Sequence, residues 1–139
     1  MLHFQKFVFT RDSVISLYDD KIYNITADNH CECVDEKERT ILMKLDQQVD
    51  AMTTCGEYLF ILSNSLIKVY FRKTGKLLDS FNPIQVKLDG KISISSYCGE
   101  STEHVNILNY RNSTLEYLQC AFDRGIIVNR SCTCLNFID

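Results

Sequence analysis

Short apolar runs, several alternating strictly with polar residues, are separated by turn residues along the whole chain. The pattern is clearest over residues 46–82, DQQVDAMTTCGEYLFILSNSLIKVYFRKTGKLLDSFN. It predicts four short strands, at 49–53, 58–62, 66–71 and 76–81. Each run is rich in β-branched or aromatic residues, and each break holds Gly, Asn, Ser or Thr, the residues that turns require.

The flanking segments follow the same rule. Strands are predicted at 4–9, 14–18 and 21–26, with turns at Arg11-Asp12, Asp19-Asp20 and Asp28-Asn29. Residues 31–34 read as a short edge strand or the start of a loop. A charged run, DEKER at 35–39, precedes a strand at 40–45. DEKERTILMKL also carries helix formers, and Asp35 with Glu38 fits a capping box. A segment of about ten residues is a marginal helix, so loop then strand is the reading. After Pro83, residues 84–88 are extended and Asp89-Gly90 is a turn signal. Strands then follow at 91–97, 104–110, 115–122, 126–129 and 132–138. No amphipathic helix emerges.

The groups of strands begin near Phe4, Val49 and Lys91, a spacing of roughly 42–45 residues, which is the length of a propeller blade. The expected fold is therefore one all-β domain over 1–139, built of antiparallel four-stranded meanders. Its approximate blades are 4–45, 46–82 and 84–139, a partial propeller of about three blades. A compact β-barrel or sandwich is the alternative, because any antiparallel meander gives the same alternation.

The central unit resembles a degenerate WD40 repeat. The matching elements are VDAM at 49–52, GEYLFIL at 56–62, SLIKVY at 65–70 and KTGKLLDSF at 73–81. Phe71 stands where that family usually has Asp, and the opening Gly-His pair is absent. The resemblance implies a propeller-type scaffold. Propellers close with about four to eight blades, so three blades would leave sheet edges and an apolar flank open. Three completions are open: the chain is the N-terminal piece of a longer protein, it pairs with a second copy, or a partner adds strands; an obligate assembly is the expectation.

Composition adds limits. Apolar residues make up 45% of the chain and charged residues 24%, with a net charge of -3. That balance argues against broad nucleic-acid binding, which needs a basic face. No run approaches the roughly 18–20 consecutive apolar residues of a membrane span, and the N-terminus lacks the apolar core and cleavage site of a signal peptide.

The seven cysteines are Cys31, Cys33, Cys55, Cys98, Cys120, Cys132 and Cys134. Disulfides in a secreted protein are one reading, favoured by sequons at Asn24, Asn112 and Asn129. Reduced, buried thiols in a cytoplasmic or nuclear protein are the other, and the expectation taken here. Cys31, Cys33, Cys132 and Cys134 are the candidates for a zinc site. In a strand, however, a C-x-C pair spaces its thiols about 6.5–7 Å apart, long for two ligands of one ion. Small buried hydrophobes are the simpler reading.

His3, His30 and His104 belong to no catalytic pattern, and no phosphate-cradling glycine loop is present. The chain is read as a non-enzyme without cofactor. Its expected role is that of a protein–protein interaction or scaffold subunit, in a hetero-complex or homodimer. Tyr58, Tyr70, Phe71, Arg72 and Lys73 are the candidate contact residues. Two alternatives remain. One is an RNA-binding accessory subunit using Lys68, Arg72, Lys73 and Lys76. The other is a secreted, disulfide-stapled β-domain.

Overall fold

The computed structural model describes residues 6–9, 13–18, 21–26, 39–44, 48–83 and 87–138. The described residues are strands and their connections. The first group is β1 (Lys6–Phe9), β2 (Ser13–Tyr18), β3 (Lys21–Thr26) and β4 (Arg39–Lys44). The second is β5 (Ala51–Cys55), β6 (Tyr58–Ser63), β7 (Leu66–Phe71) and β8 (Lys76–Phe81). The third is β9 (Lys91–Cys98), β10 (Thr102–Arg111), β11 (Thr114–Asp123) and β12 (Ile126–Ile138). Each group forms its own sheet, and its strands pair antiparallel in chain order. Among the described residues no ladder joins one sheet to the next, so the strands do not close into a barrel. The fold is all-β, in stacked four-stranded meanders.

Turn chemistry sets the hairpins. Asn64-Ser65, Asn112-Ser113 and Arg124-Gly125 each place two successive residues at positive φ, the backbone of the two-residue turn that matches strand twist. Asn tolerates that region because its side chain hydrogen-bonds locally.

Register and alternation then decide the core. In β6, Leu59 and Ile61 face the first sheet and pack with Ile15, Ile22, Val49, Met52 and Tyr70. Phe60 and Leu62 face the other way, against Val105, Ile107, Leu118, Cys120 and Phe122 of the third sheet. The Phe60 and Phe122 rings lie 4.9 Å apart, tilted by 58°, a favoured aromatic geometry. The second sheet is thus covered on both faces, which is why YLFILS in β6 is nearly continuous in apolar residues.

The second and third sheets are also fastened at both margins. On one side, β5 and β9 are joined by the Cys55–Cys98 disulfide, with Cα atoms 5.6 Å apart. Beside it, the Ser96 hydroxyl donates to the Thr54 carbonyl and lies 3.1 Å from that of Thr53. On the other side, the Asp79 carboxylate of β8 accepts from the Ile127 amide and the Arg130 guanidinium of β12, both at 2.9 Å. Arg130 also donates to the Ser80 carbonyl and sits over the Phe81 ring. The linker between the sheets is pinned by Asn109, which is fully buried. Its side chain accepts from the Gly90 amide and donates to the Lys87 carbonyl and to Glu116.

Three sequence expectations change. Residues 126–138 form one strand, not two. Its pairing with β11 jumps between Cys120 and Phe122, and Asn129 and Arg130 there take positive φ. This bulge turns Arg130 back toward Asp79. Val49 precedes β5, which begins at Ala51. The expectation of reduced cysteines in the cytoplasm or nucleus is overturned. Cys55 is bonded to Cys98, and Cys120 to Cys132, with Cα atoms 4.5 Å apart in the second pair. Two bridges within one chain belong to an oxidising, extracellular or envelope compartment. Small apolar thiols and bridged half-cystines are buried alike, so sequence pattern does not separate them. Cys31, Cys33 and the expected extended stretch 84–86 lie outside the described residues.

Candidate functional site

The expected contact residues gather at one end of the second sheet, where β7 leaves and the β5–β6 turn lies beside it. Tyr58 is half-buried, and its ring is 6.2 Å from that of Phe71, which is also half-buried. Tyr70 is only 8% exposed and belongs to the core facing the first sheet. It is buried because β7 is an inner strand of the middle sheet. The Arg72 amide donates to the Glu57 carbonyl, but its guanidinium Nε and Nη1 are buried without an acceptor. Lys73 pairs with Glu57 at 3.0 Å. An exposed pair of this kind contributes little to stability, but it offsets the lysine's charge. Half-buried Lys68 and exposed Lys76 complete the group. Arg72 is half-buried and Lys73 is ion-paired, so Lys68 and Lys76 carry the open positive charge of this corner.

Next to this corner is a cleft of about 420 Å³ between the second and third sheets. The Cys55–Cys98 bridge, Tyr58, Glu57, Glu100, Glu103 and Arg124 line it. Glu103 is buried and accepts from the Gly125 amide at 2.7 Å. Burial pushes its carboxyl above the ordinary range, against the pull of the Gly125 and Arg124 amides. Burial also raises the Tyr58 hydroxyl, helped by the charges of Glu103 and Glu57. Gly125 has φ of 84°, and a Cβ there would come within 2.8 Å of Leu78. The positive φ favours glycine at this position, and an added Cβ would in addition have to displace the Leu78 methyl.

The cleft is acidic and its bridge is flanked by carboxylates, a poor setting for thiolate attack. Cys132 has no free thiol, being bridged to Cys120. Cys134 is free, but burial and then the Glu116 charge push its thiol up, away from the reactive thiolate. Among the described residues no three His, Cys, Asp or Glu side chains converge as metal ligands, and no helix is long and apolar enough to cross a membrane.

A further open feature lies on the third sheet. Eight large apolar side chains are exposed among the described residues. One, Leu77, is on β8 and one, Val128, is at the β12 bulge; the other six are on the face of the third sheet that points away from the second. Pairing register places them. Tyr110 lies opposite Leu115, which lies opposite Phe137. Leu108 lies opposite Tyr117, which lies opposite Leu135. Tyr97 and His104 pair further along, with rings 5.8 Å apart. Sequence reasoning missed this surface. The strands of this sheet were read from the sequence, but which of its two faces stays open depends on how the sheets stack.

No protein-family model matches the chain, and no curated protein matches it. The chain is similar to a solved structure from a study of PorZ, described as an essential bacterial surface component of the type-IX secretion system of Porphyromonas gingivalis. The identity is 13% and the TM-score 0.44, over 97% of this chain and 23% of that one. The chain thus spans under a quarter of that structure's length, and a likeness this distant transfers neither fold nor function.

Proposed function

We propose that this chain is a disulfide-stapled β-domain of an extracytoplasmic compartment, acting as a non-enzymatic interaction module. The two bridges carry the reading. One ties β5 to β9, edge strands of two sheets, and the other ties β11 to β12, the strand that holds the Arg130 clasp. A domain of this size with a limited core gains from such cross-links. The exposed turn at Asn112 and the exposed bulge at Asn129 hold two of the sequons, as glycan acceptors of a secreted chain would. Contact with a partner is assigned to the outer face of the third sheet, because exposed apolar side chains cluster there. Tyr58, Phe71, Arg72 and Lys73 in the corner at the end of β7 remain a second candidate contact, whereas Tyr70 is in the core. The stacked meanders fit a partial propeller, the arrangement that the WD40 resemblance implies.

The test is a thiol count on the unreduced, denatured full chain, with peptide mapping. Linked peptides containing Cys55–Cys98 and Cys120–Cys132 are expected, leaving three or fewer of the seven thiols free. Seven free thiols in protein from an oxidising secretory route sink the reading.

A further inference from the structure

The outer face of the third sheet is distinctive in what it lacks as well as in what it shows. Along β9–β12 its side chains carry charge only at two corners, Lys91 at the start of β9 and Asp123 at the end of β11. The centre is aromatic, aliphatic or neutral polar. Tyr117 donates its hydroxyl to Asn106 of the same sheet at 2.6 Å, so its polar tip is satisfied and its ring is left as apolar surface. Leu135 and Phe137 remain 50% and 54% exposed.

The opposite face of the same sheet is already a sheet-on-sheet interface. There Val105, Ile107, Leu118 and Phe122 pack against the second sheet. The outer face of the third sheet is apolar like the inner one, with Leu108, Tyr110, Leu135 and Phe137 exposed on it. We infer that a second copy of this chain covers that face, the two third sheets packing face to face about a two-fold axis.

Three observations favour a second copy. First, the chain carries a net charge of -3, so copies repel through their general surface, but this face offers no like charges to oppose each other at its centre. Second, a two-fold contact requires a patch to complement itself, which a neutral array of Leu, Tyr and Phe side chains does by interdigitation. Third, the size is right. Four strands about 4.8 Å apart and some ten residues long present on the order of 600 Å², the lower edge of a standard interface per partner. The inference rests on the interaction-module reading but not on the bridges, so a failed dimer test and a failed thiol count are separate results.

The experiment is sedimentation or light scattering of the oxidised full chain across roughly 1–200 µM, which reaches the weak end of the affinities that interfaces of standard area show. The expected result is a monomer–dimer equilibrium. Leu135→Glu and Leu108→Lys each put a charge at the centre of the contact and should weaken the dimer about tenfold or more. Leu77→Glu, at the exposed apolar residue outside the face, should leave it unchanged. Far-UV circular dichroism and retained bridges establish that each variant is folded. A wild type that stays monomeric at the highest concentration overturns the proposal. So does a dimer that survives both face variants or is broken by Leu77→Glu.

Discussion

Arg72 is the residue at which local chemistry and burial conflict most. Its stem packs at the end of β7, yet Nε and Nη1 are buried with no acceptor. Orphan donors of this kind cost about 1–3 kcal/mol each in mutational comparisons. Arg72→Met keeps the stem and removes the donors. Its thermal midpoint should therefore equal or exceed that of the wild type. A clear drop would mean that the guanidinium has a partner in the native molecule. Glu103 makes a second prediction. Its folded carboxyl titrates above the ordinary value of 4.5, chiefly through burial. Between that value and the raised one the folded state holds more protons than the unfolded, so stability falls as pH rises through the window. Glu103→Gln keeps an acceptor for the Gly125 amide and cannot ionise. Urea midpoints of the variant should lack that decline and should be at least as high as wild type at neutral pH. Asp79 has the opposite sign. Burial disfavours its charge, but the Ile127 amide, Arg130 and the Ser80 amide outweigh it and hold the carboxyl below 3.8. Its contribution is present at neutral pH and is lost as pH falls through that lowered value.

The elements were legible because each hairpin carries its own instructions. Alternation marked β9, and Asn64-Ser65 and Asn112-Ser113 marked tight turns. The break in β12 was not legible as a bulge, because its cause is distant: Arg130 reaches Asp79, 51 residues away in sequence. The same holds for Cys55–Cys98, which spans 43 residues and staples β5 to β9. Loop-closure entropy for a span of that length predicts about 4 kcal/mol, and measured losses run about 2–5 kcal/mol. Cys98→Ser should therefore lower unfolding free energy by roughly 2–4 kcal/mol in denaturant melts. A loss below about 0.5 kcal/mol would argue that Asp79–Arg130 and the Asn109 network hold the sheets without the bridge, since surface changes typically fall in that range.

For the whole molecule, the stack of sheets decides what is core and what is surface. The middle sheet is enclosed on both faces, and that buried Tyr70, which in sequence reads like any aromatic at a strand end. The third sheet is enclosed on one face, and the other becomes the candidate contact. If two copies share it, the thermal midpoint should rise with protein concentration, as mass action requires. Sequence alone determined the all-β class, the grouping into four-stranded meanders of about blade length, and most strand positions. These follow from period-two alternation and turn residues, which act within a hairpin. Tertiary structure alone decided which cysteines meet, and so the compartment. It also decided which apolar face remains open and which basic side chains are neutralised. Each of those depends on residues brought together from separate sheets, and a one-dimensional pattern carries no record of that approach.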